Sequence, residues 1–410
     1  MKKTVNRQVW LTKKLKEICE NFQKRKAPLG FTPYVEIGNV DVRSKKINFN
    51  NKGAVQGSFF APAEAVLISR VRPTRGAIVF LNRELAVSPA FTVIKTKKEI
   101  NPKLLFYFLA WNKDFFNYLG SRQKGTNYPS VRESDILDFE ISFPKNENEQ
   151  QKIVSILDTI QSAIEVQEKI MEKAKELKKS MMAELFKYGA PSFRKGRKLK
   201  KTEIGEIPEN WDVVRLGEVV EKIQYGISKK GQREGEYPIL RMNNLMEGQI
   251  NTQDLQFVDL TKDEFDKFKL IKGDIIFNRT NSIELVGKTA LFDLERDFVF
   301  ASYLLRIRVN ILKLLPQFLN WYFNWGKSQE RLKKLASRGA SQVNISATRL
   351  RTFQIPLPPL PEQREIAEIL QTIDQKIEIE KKKKELYEEL FKTMLNKIMN
   401  QEIDVEKIKI

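Results

Sequence analysis

The chain has 410 residues and carries 72 Lys and Arg against 52 Asp and Glu, which gives a formal net charge of +20. Its single Cys19 excludes a disulfide framework and a thiolate metal cluster, and its lack of histidine excludes Ser-His-Asp catalysis, Cys-His catalysis and histidine metal sites. A surface this basic is typical of proteins that bind a polyanion, with nucleic acid as the first candidate and an anionic membrane as the second.

No apolar run approaches the twenty or so residues of a membrane-spanning helix, and the start, MKKTVNRQVW, lacks the apolar segment of a signal peptide. Together with the single cysteine, these features favour a reducing, cytoplasmic location. A carboxylate metal site or a Lys or Tyr base stays possible, so the composition argues against catalysis without excluding it.

Residues 1–147 are predicted to form a first mixed domain. Strand-like segments lie at 31–40, 65–71, 76–81 and 90–94. A helix is predicted over 101–119, with Pro102 in its first turn, where proline is favoured. A polar loop, SRQKGTNYPSV, and a short strand, DFEISFP, complete the domain.

Residues 148–188 are predicted to form a long helix whose apolar residues recur at alternating spacings of four and three. This stretch contains EQQKIVSILDTIQSAIEVQEKI, starting at Glu149, and the chain repeats it as EQREIAEILQTIDQKIEIEKKK, starting at Glu362. A repeat separated by more than two hundred residues indicates a duplicated domain and not a solenoid. The apolar positions are Ile153, Leu157, Ile160 and Ile164 in the first copy and Ile366, Leu370, Ile373 and Ile377 in the second.

A helix about 55–60 Å long with one apolar stripe is not stable alone and needs a partner. We expect the two copies to pair as an intramolecular, antiparallel coiled coil that holds two globular domains apart. The alternative is a pair of separate surface helices, each lying on its own domain.

The rest of the chain repeats this plan. Residues 189–210 are predicted to be a solvated basic linker, 211–361 a second mixed domain and 362–410 the second long helix. With an offset of 214, Pro102 falls on Pro316, Leu105 on Leu319, Gly125 on Gly339, Phe139 on Phe353 and Ile141 on Ile355. The two domains therefore share their apolar positions and differ in their polar loops.

Motifs for catalysis are weak. VGKT at 286–289 resembles the end of a phosphate-binding loop, but Ser282 stands where that loop needs glycine, and the following ALFDLERDFVF predicts strand and turn instead of a helix. The chain lacks the Asn/Asp-Pro-Pro-Tyr/Phe tetrad of amino methyltransferases and any acid cluster with metal-ligand spacing. We expect no catalytic residue, no metal site and no cofactor bound by this chain.

The positive signal lies in polar loops between the strands. Arg recognises guanine through two hydrogen bonds and Asn or Gln recognises adenine in the same way, while Lys holds phosphates. The candidates for DNA contact are Lys45, Lys46, Arg70, Arg72, Arg75, Arg122, Lys124, Lys229, Lys230, Arg241, Asn243, Asn244, Arg279, Asn281, Lys288, Arg338 and Gln342. Each alone is also explained as a solvated surface group, and Asn243 and Asn281 as turn residues. As clusters on equivalent loops of a basic protein they favour DNA binding.

The whole chain resembles the specificity subunit of type I restriction-modification enzymes. The resemblance rests on the repeated EQ-x2-I-x2-IL-x2-I helix, on IPENWDVVRLGEV at 207–219, on GDIIFNRTNS at 273–282 and on the loop with Ser and Gly before each long helix, SRQKG in the first copy and SRG in the second. It covers nearly all 410 residues. The first domain departs from the pattern, since it has EAVLISRVRPTRG in place of the GDIIFNR wording and lacks IPENW.

The resemblance implies an α/β (α+β) fold with two similar target-recognition domains, separated by two long helices that pair as an antiparallel coiled coil with pseudo-twofold symmetry. It implies that each domain reads one half of a bipartite target in double-stranded DNA and that the coiled coil sets the half-site spacing. It implies a non-catalytic subunit that recruits two methyltransferase (M) subunits and, through them, restriction (R) subunits. S-adenosylmethionine, ATP and Mg are then expected on those partners.

Two other functions stay open on the sequence. The chain could be a structural adaptor that binds protein partners through its coiled coil, with its charge serving only solubility. It could also be a self-contained DNA-modifying enzyme, although the missing motifs and the missing histidine argue against this.

Overall fold

The computed structural model describes residues 9–338 and 342–408 of this chain. It divides into two compact units that cut across the order of the sequence. Unit 1 contains Met1–Glu168 and Lys382–Ile410, and unit 2 contains Lys169–Lys381. We name the helix Glu147–Tyr188 stem 1 and the helix Leu360–Met399 stem 2. Each unit therefore holds one part of each stem beside its own mixed α/β domain.

Unit 1 builds its domain from short strands and short helices. The strands are Trp10–Lys14, Arg25–Lys26, Tyr34–Val35, Phe59–Ala61, Val66–Ser69, Ile78–Phe80, Leu85–Val87, Phe91–Ile94 and Glu140–Pro144. The α-helices are Leu15–Ile18, Pro102–Ala110, Lys113–Arg122 and Glu133–Leu137, with 3-10 turns at Ile37–Asn39 and Pro73–Arg75. In the central three-stranded sheet, Val66–Ser69 lies between Ile78–Phe80 and Phe91–Ile94, and both pairings are antiparallel.

Unit 2 repeats this design with a larger sheet. Its strands are Leu199–Thr202, Gly205–Pro208, Asp212–Arg215, Val220–Tyr225, Tyr237–Leu240, Leu245–Met246, Gly248–Ile250, Gln256–Val258, Ile275–Asn278, Thr280–Asn281, Thr289–Leu291, Val299–Phe300, Leu304–Val309, Ser337–Arg338, Val343–Asn344 and Gln354–Leu357. Its α-helices are Lys262–Phe268, Pro316–Asn324, Gly326–Lys334 and Ala347–Arg351, and its 3-10 turns are Pro191–Phe193, Leu216–Glu218 and Met242–Asn244. Ile275–Asn278 lies between Leu304–Val309 and Thr289–Leu291, both antiparallel to it.

Three sequence expectations are corrected here. The helix predicted over 101–119 is two helices, because the side chain of Asn112 accepts hydrogen bonds from the N–H groups of Asp114 and Phe115 and starts a new helix. Residues 189–210 are not a loose linker but contain an antiparallel hairpin. The second long helix ends at Met399 instead of continuing to 410.

The basic segment 189–210 is folded because it carries a partner for a buried acid. Glu362 is fully buried, and its carboxylate accepts hydrogen bonds from Trp211 Nε1 at 2.9 Å and from Arg197 Nη2 at 3.0 Å. The N–H of Ala190 donates to the same carboxylate at 3.1 Å. A buried carboxylate needs such partners, so the segment is held against the first turn of stem 2.

In each unit the two stems pack against each other. In unit 1 the expected seam residues Ile153, Leu157, Ile160 and Ile164 are buried in one core with Phe391, Leu395 and Ile398 of stem 2. In unit 2, Ile366 and Leu370 are buried with Met182, Leu185 and Phe186 of stem 1. The other two expected seam residues of stem 2, Ile373 and Ile377, are only half-buried. The alternative of two stems that each cover only their own domain is therefore wrong.

The direction of the pairing follows from two ion pairs between the stems. In unit 2, Lys178 Nζ lies 2.6 Å from Asp374 Oδ1, and in unit 1, Lys384 Nζ lies 3.1 Å from Glu168 Oε1. Glu168 precedes Lys178 by ten residues on stem 1, and Asp374 precedes Lys384 by ten residues on stem 2. Within unit 1, residues 153–164 pack with the later residues 391–398 while Glu168 pairs with the earlier Lys384, and within unit 2 the order is reversed in the same way. The stems are therefore antiparallel in each unit, as the sequence predicts.

Candidate nucleic-acid interface

Two arginines occupy equivalent places at the ends of equivalent strands. Arg70 follows Val66–Ser69, and Arg279 follows Ile275–Asn278. The carbonyl of Arg70 accepts the N–H of Val131 at 2.9 Å, and that of Arg279 accepts the N–H of Ile345 at 2.9 Å. Each backbone thus joins the central sheet to the segment that leads toward a stem.

The side chains of these two arginines face inward and support the loop that follows. Arg70 Nη2 donates to the carbonyl of Pro89, and Arg279 Nη1 donates to the carbonyl of Ser302 at 3.3 Å. Both Nε groups are buried and have no hydrogen-bond partner among the described residues. Arg70 and Arg279 therefore position the loop backbone and are less suited to base contact than the sequence suggests.

Arg72 and Asn281, which come two residues after Arg70 and Arg279, lie beside the polar loops. In unit 1, the N–H of Arg72 donates to the carbonyl of Pro129 at 2.6 Å. In unit 2, Asn281 pairs with Val343 in a short antiparallel ladder. Arg72 and Asn281 therefore hold equivalent places beside the loop that precedes the last strand of each domain.

A basic surface in unit 1 forms around Arg72. Its guanidinium carbon lies 5.1 Å from the ring centre of Tyr128, a side chain that is 73% exposed, and its Nη2 lies 3.4 Å from the carbonyl oxygen of Asn127. The helix Lys113–Arg122 packs on the turn Pro73–Arg75. The exposed cations Arg75, Arg122 and Lys124 belong to these two elements and to the adjoining loop. We call Arg72, Arg75, Arg122, Lys124 and Tyr128 the unit 1 basic surface.

Among the side chains that the structure describes, unit 2 brings fewer cations than unit 1 to the corresponding loops. Asn281 is half-buried, and its Nδ2 lies 3.2 Å from Met242 Sδ while its Oδ1 accepts the N–H of Ser282 at 2.8 Å. Lys288, Lys230 and Gln342 are exposed. The backbone of Arg338 lies in the strand Ser337–Arg338, but its side chain falls outside the described part of the chain.

The structure does not support the prediction that Lys45 contacts DNA. It is 7% exposed, its ammonium donates to the carbonyl of Gly76 at 2.7 Å, and it lies 5.7 Å from the ring centre of Trp111 and 5.6 Å from that of Phe116. Burial lowers the pKa of Lys45 to about 8. An ammonium enclosed in this way cannot reach a phosphate, so the prediction for Lys45 is wrong.

The structure also does not support the prediction that Asn244 contacts DNA, because this residue is buried inside a turn. Its Oδ1 accepts the N–H of Arg241 at 2.9 Å and its Nδ2 donates to the carbonyl of Asn251 at 2.9 Å. In unit 1 Asn39 forms the same turn, accepting from Glu36 N–H at 2.8 Å and donating to the carbonyl of Asn48 at 2.9 Å. The amide of Asn244 therefore stabilises a repeated turn and is unavailable to a base.

Other candidates are already paired with acids. Lys46 Nζ lies 3.2 Å from Glu165 Oε1 on stem 1. Arg241 Nη2 and Asn243 Nδ2 both donate to Asp254 Oδ2, at 2.8 and 2.7 Å. Lys229 donates to Glu264 at 2.8 Å, and this hydrogen bond lowers the pKa of the Glu264 carboxyl. These four stay predictions, but DNA would have to compete with the existing pairs.

Sequence reasoning missed the aromatic side chains that support the arginines. Tyr128 lies under Arg72, and Tyr225, which is 42% exposed, lies under Arg279 with 4.9 Å between the guanidinium carbon and the ring centre. The hydroxyl of Tyr225 also accepts the N–H of Ala347 at 3.1 Å. A tyrosine within the polar, glycine-containing loop SRQKGTNYPSV was the available signal in unit 1.

Neither a metal cluster nor a membrane span is found in the described residues. Within 9–338 and 342–408, no group of three or more Asp, Glu or Cys side chains is arranged to hold a metal ion. None of the helices in that part of the chain has both the length and the apolar content to cross a bilayer. The VGKT segment leads into the strand Thr289–Leu291, and Thr289 Oγ1 donates to Asn320 Oδ1 at 3.0 Å.

Comparison with known proteins places the repeat in one family. The family model described as type I restriction modification DNA specificity domain matches the chain twice, over residues 8–176 and 208–389. A solved structure described as the structural basis of complex assembly and conformational transition of the type I R-M system matches with a TM-score of 0.60. The two chains are 21% identical, and the match covers 95% of this chain and 97% of the chain in that structure. The likeness therefore shows that the two chains share a fold.

Two proteins of Methanocaldococcus jannaschii are similar in sequence. One, named as the MjaX type I restriction enzyme specificity subunit, is 36% identical over 209 residues, which are 50% of this chain and 49% of that protein. The MjaVIII specificity subunit is 32% identical over 341 residues, which are 80% of this chain and 77% of that protein. The chain thus matches about half of the first relative and about three quarters of the second. Because the family model covers most of both repeats, the chain belongs to the type I restriction-modification DNA specificity domain family.

Proposed function

We propose that this chain is the non-catalytic DNA specificity subunit of a type I restriction-modification system. The observation that carries the proposal is the duplication itself, since the family model matches twice and each copy ends in a stem that packs against the other. Two similar readers joined by a stiff element are suited to a bipartite site in double-stranded DNA. Each domain reads one half-site, and the stems set the gap between the halves.

The charge distribution supports DNA as the ligand. The chain has a net charge of +20, and the unit 1 basic surface presents exposed Arg75, Arg122 and Lys124 together with the ring of Tyr128. Lys and Arg supply phosphate contacts and hence affinity, while sequence is read by side chains that reach base edges. This division of roles matches a surface with exposed cations around one arginine that stacks on an aromatic ring.

The stems also support a role in recruiting partners. Outside their shared seam they keep exposed apolar side chains, namely Val166 at 52%, Leu177 and Ile379 at 53%, Leu386 at 64% and Leu390 at 44%. We infer that methyltransferase subunits, two for one chain, dock there and bring restriction subunits with them. S-adenosylmethionine, ATP and Mg are bound by those partners, and the complex works in the cytoplasm.

The test is selection of DNA by the full chain, alone and with its modification subunits. A pool of duplexes carries two randomised segments separated by gaps of different length. We expect one motif with two halves and one preferred gap, with an affinity that falls steeply as salt rises. Selection of no motif, or of a single undivided motif, overturns the proposal.

A second measurement separates this function from that of an enzyme. The purified chain is incubated with duplex DNA, Mg²⁺ and S-adenosylmethionine without partners. We expect neither cleavage nor methyl transfer until modification and restriction subunits are added. Either reaction by the chain alone contradicts a purely recognising subunit.

A further inference from the structure

Positions 72 and 281 are equivalent in the two domains. Each lies two residues after an arginine that positions the loop backbone, Arg70 or Arg279, and each follows one strand of the central sheet. The preceding residues, Val71 and Thr280, form β-bridge pairs with the loop that leads to the last strand of each domain. Val71 pairs with Ser130, and Thr280 pairs with Asn344. The same backbone place therefore carries an arginine in one domain and an asparagine in the other.

Arg72 is held ready for an edge-on contact. Its backbone is in the left-handed region, with φ of +47°, which is costly for a residue with a side chain and indicates that the surroundings impose it. The hydrogen bond from its N–H to Pro129 at 2.6 Å is one of those constraints. Tyr128 supports the guanidinium, with 5.1 Å between the guanidinium carbon and the ring centre. Nη2 donates to the carbonyl of Asn127 at 3.4 Å, and the remaining N–H groups of the guanidinium are left for other acceptors.

Asn281 is held in a different but comparable way. Its Oδ1 already accepts the N–H of Ser282, which orients the amide, and a carbonyl oxygen has a second lone pair for another donor. Among the described residues, the acceptor of its Nδ2 is the sulfur of Met242 at 3.2 Å, which is a weak acceptor that a base nitrogen can replace. The amide can therefore offer one donor and one acceptor to the same base.

We infer that Arg72 and Asn281 are equivalent specificity-determining residues, with Arg72 selecting a guanine in one half-site and Asn281 an adenine in the other. The chemistry follows from donor and acceptor patterns in the major groove, where guanine presents two acceptors and adenine presents an acceptor and a donor. This inference rests on the proposed function, because it assigns residues to the two readers.

The test repeats the DNA selection with single substitutions in the full chain bound to its modification subunits. Arg72→Ala should reduce the preference for guanine at one position of one half-site by about tenfold or more, and should leave the other half unchanged. Asn281→Ala should reduce the preference for adenine at one position of the other half. Arg72→Lys keeps the charge but loses the planar fork, so it should lose the guanine preference while binding stays salt-dependent.

Exposed neighbours supply the controls. Arg75→Ala in unit 1 and Lys288→Ala in unit 2 should weaken binding to all sequences alike and leave the selected motif unchanged. If the unsubstituted chain selects no bipartite motif, the proposed function itself fails. If it selects one and a substitution at position 72 or 281 leaves that motif intact, the inference is overturned for that domain while the proposed function stands.

Discussion

Gln150 and Gln363 make the same three hydrogen bonds in the two halves of the chain. Gln150 Oε1 accepts the N–H of Asn101 at 2.6 Å, and its Nε2 donates to the carbonyls of Glu99 and Pro144 at 2.9 and 2.8 Å. Gln363 accepts from Leu315 at 2.8 Å and donates to Lys313 and Pro358 at 2.9 and 2.8 Å. Each glutamine ties the start of a stem to the start of the helix that begins at Pro102 or Pro316, which explains why the motif is repeated.

Replacing Gln363 by Glu should destabilise unit 2 by about 2 kcal/mol or more. The substitution keeps the size of the side chain but turns its donor nitrogen into an oxygen that faces two carbonyls in a buried place. Arg364→Ala, at the exposed neighbouring position, should change the free energy of unfolding by about 0.5 kcal/mol or less. Denaturant unfolding of the full chain measures both, and equal effects would contradict the anchoring role.

Removal of Lys178 should be costly because its partner stays buried. The side chains of Lys178 and Asp374 are 15% and 10% exposed, and the ammonium also lies 4.6 Å from the ring centre of Trp321. Lys178→Met should lower the free energy of unfolding by about 3–5 kcal/mol, and adding Asp374→Leu should restore most of that loss.

A matched surface pair provides the control for this prediction. Lys175 and Glu247 are 3.3 Å apart with side chains 50% and 66% exposed, so Lys175→Met should cost less than about 1 kcal/mol. Thermal or denaturant unfolding of the natural chain and these three variants measures the free energy of unfolding of each. A Lys178→Met variant as stable as Lys175→Met would show that the buried pair does not determine stability.

The buried Lys45 predicts a rise in stability at alkaline pH. Burial lowers its folded-state pKa from 10.5 to about 8, so between these values the unfolded chain binds more protons than the folded chain. Stability therefore rises with pH across this window, and the penalty is present in full below about pH 8. Relative to Lys45→Met, the natural chain should gain about 2 kcal/mol between pH 7.5 and 10. Unfolding curves at both pH values test this, and an unchanged difference would contradict it.

Shortening both stems in register should change the preferred gap between half-sites. Residues 169–175 of stem 1 and 377–383 of stem 2 each lie, along the chain, between the residues that form the two ion pairs, so both seven-residue segments can be removed while both pairs are kept. Seven helical residues span about 10 Å and base pairs are about 3.4 Å apart, so the gap should shorten by about three base pairs. DNA selection measures the preferred gap. Removal of one segment alone is the control, because it leaves the stems mispaired. An unchanged gap after removal of both segments would contradict the proposal that stem length sets the half-site spacing.

The duplication and the pairing of the stems could be predicted because their signals are local and linear. Ile153 and Ile366 recur in two copies of one helical pattern, and a long helix with one apolar stripe requires a partner wherever it lies. The repeated Glu-Gln pair at the start of each stem could also be found in the sequence. The hydrogen bonds of Gln150 and Gln363, which explain why this pair is repeated, could not be predicted from it.

The sequence by itself determined that one domain occurs twice, that each copy leads into a long helix, and that the protein is basic. Only the tertiary structure decided which polar residues are free to act. Lys45 is enclosed by Trp111 and Phe116, which lie more than sixty residues away along the chain, whereas Arg75 is exposed. Burial depends on such distant contacts, and residue type and spacing do not reveal them.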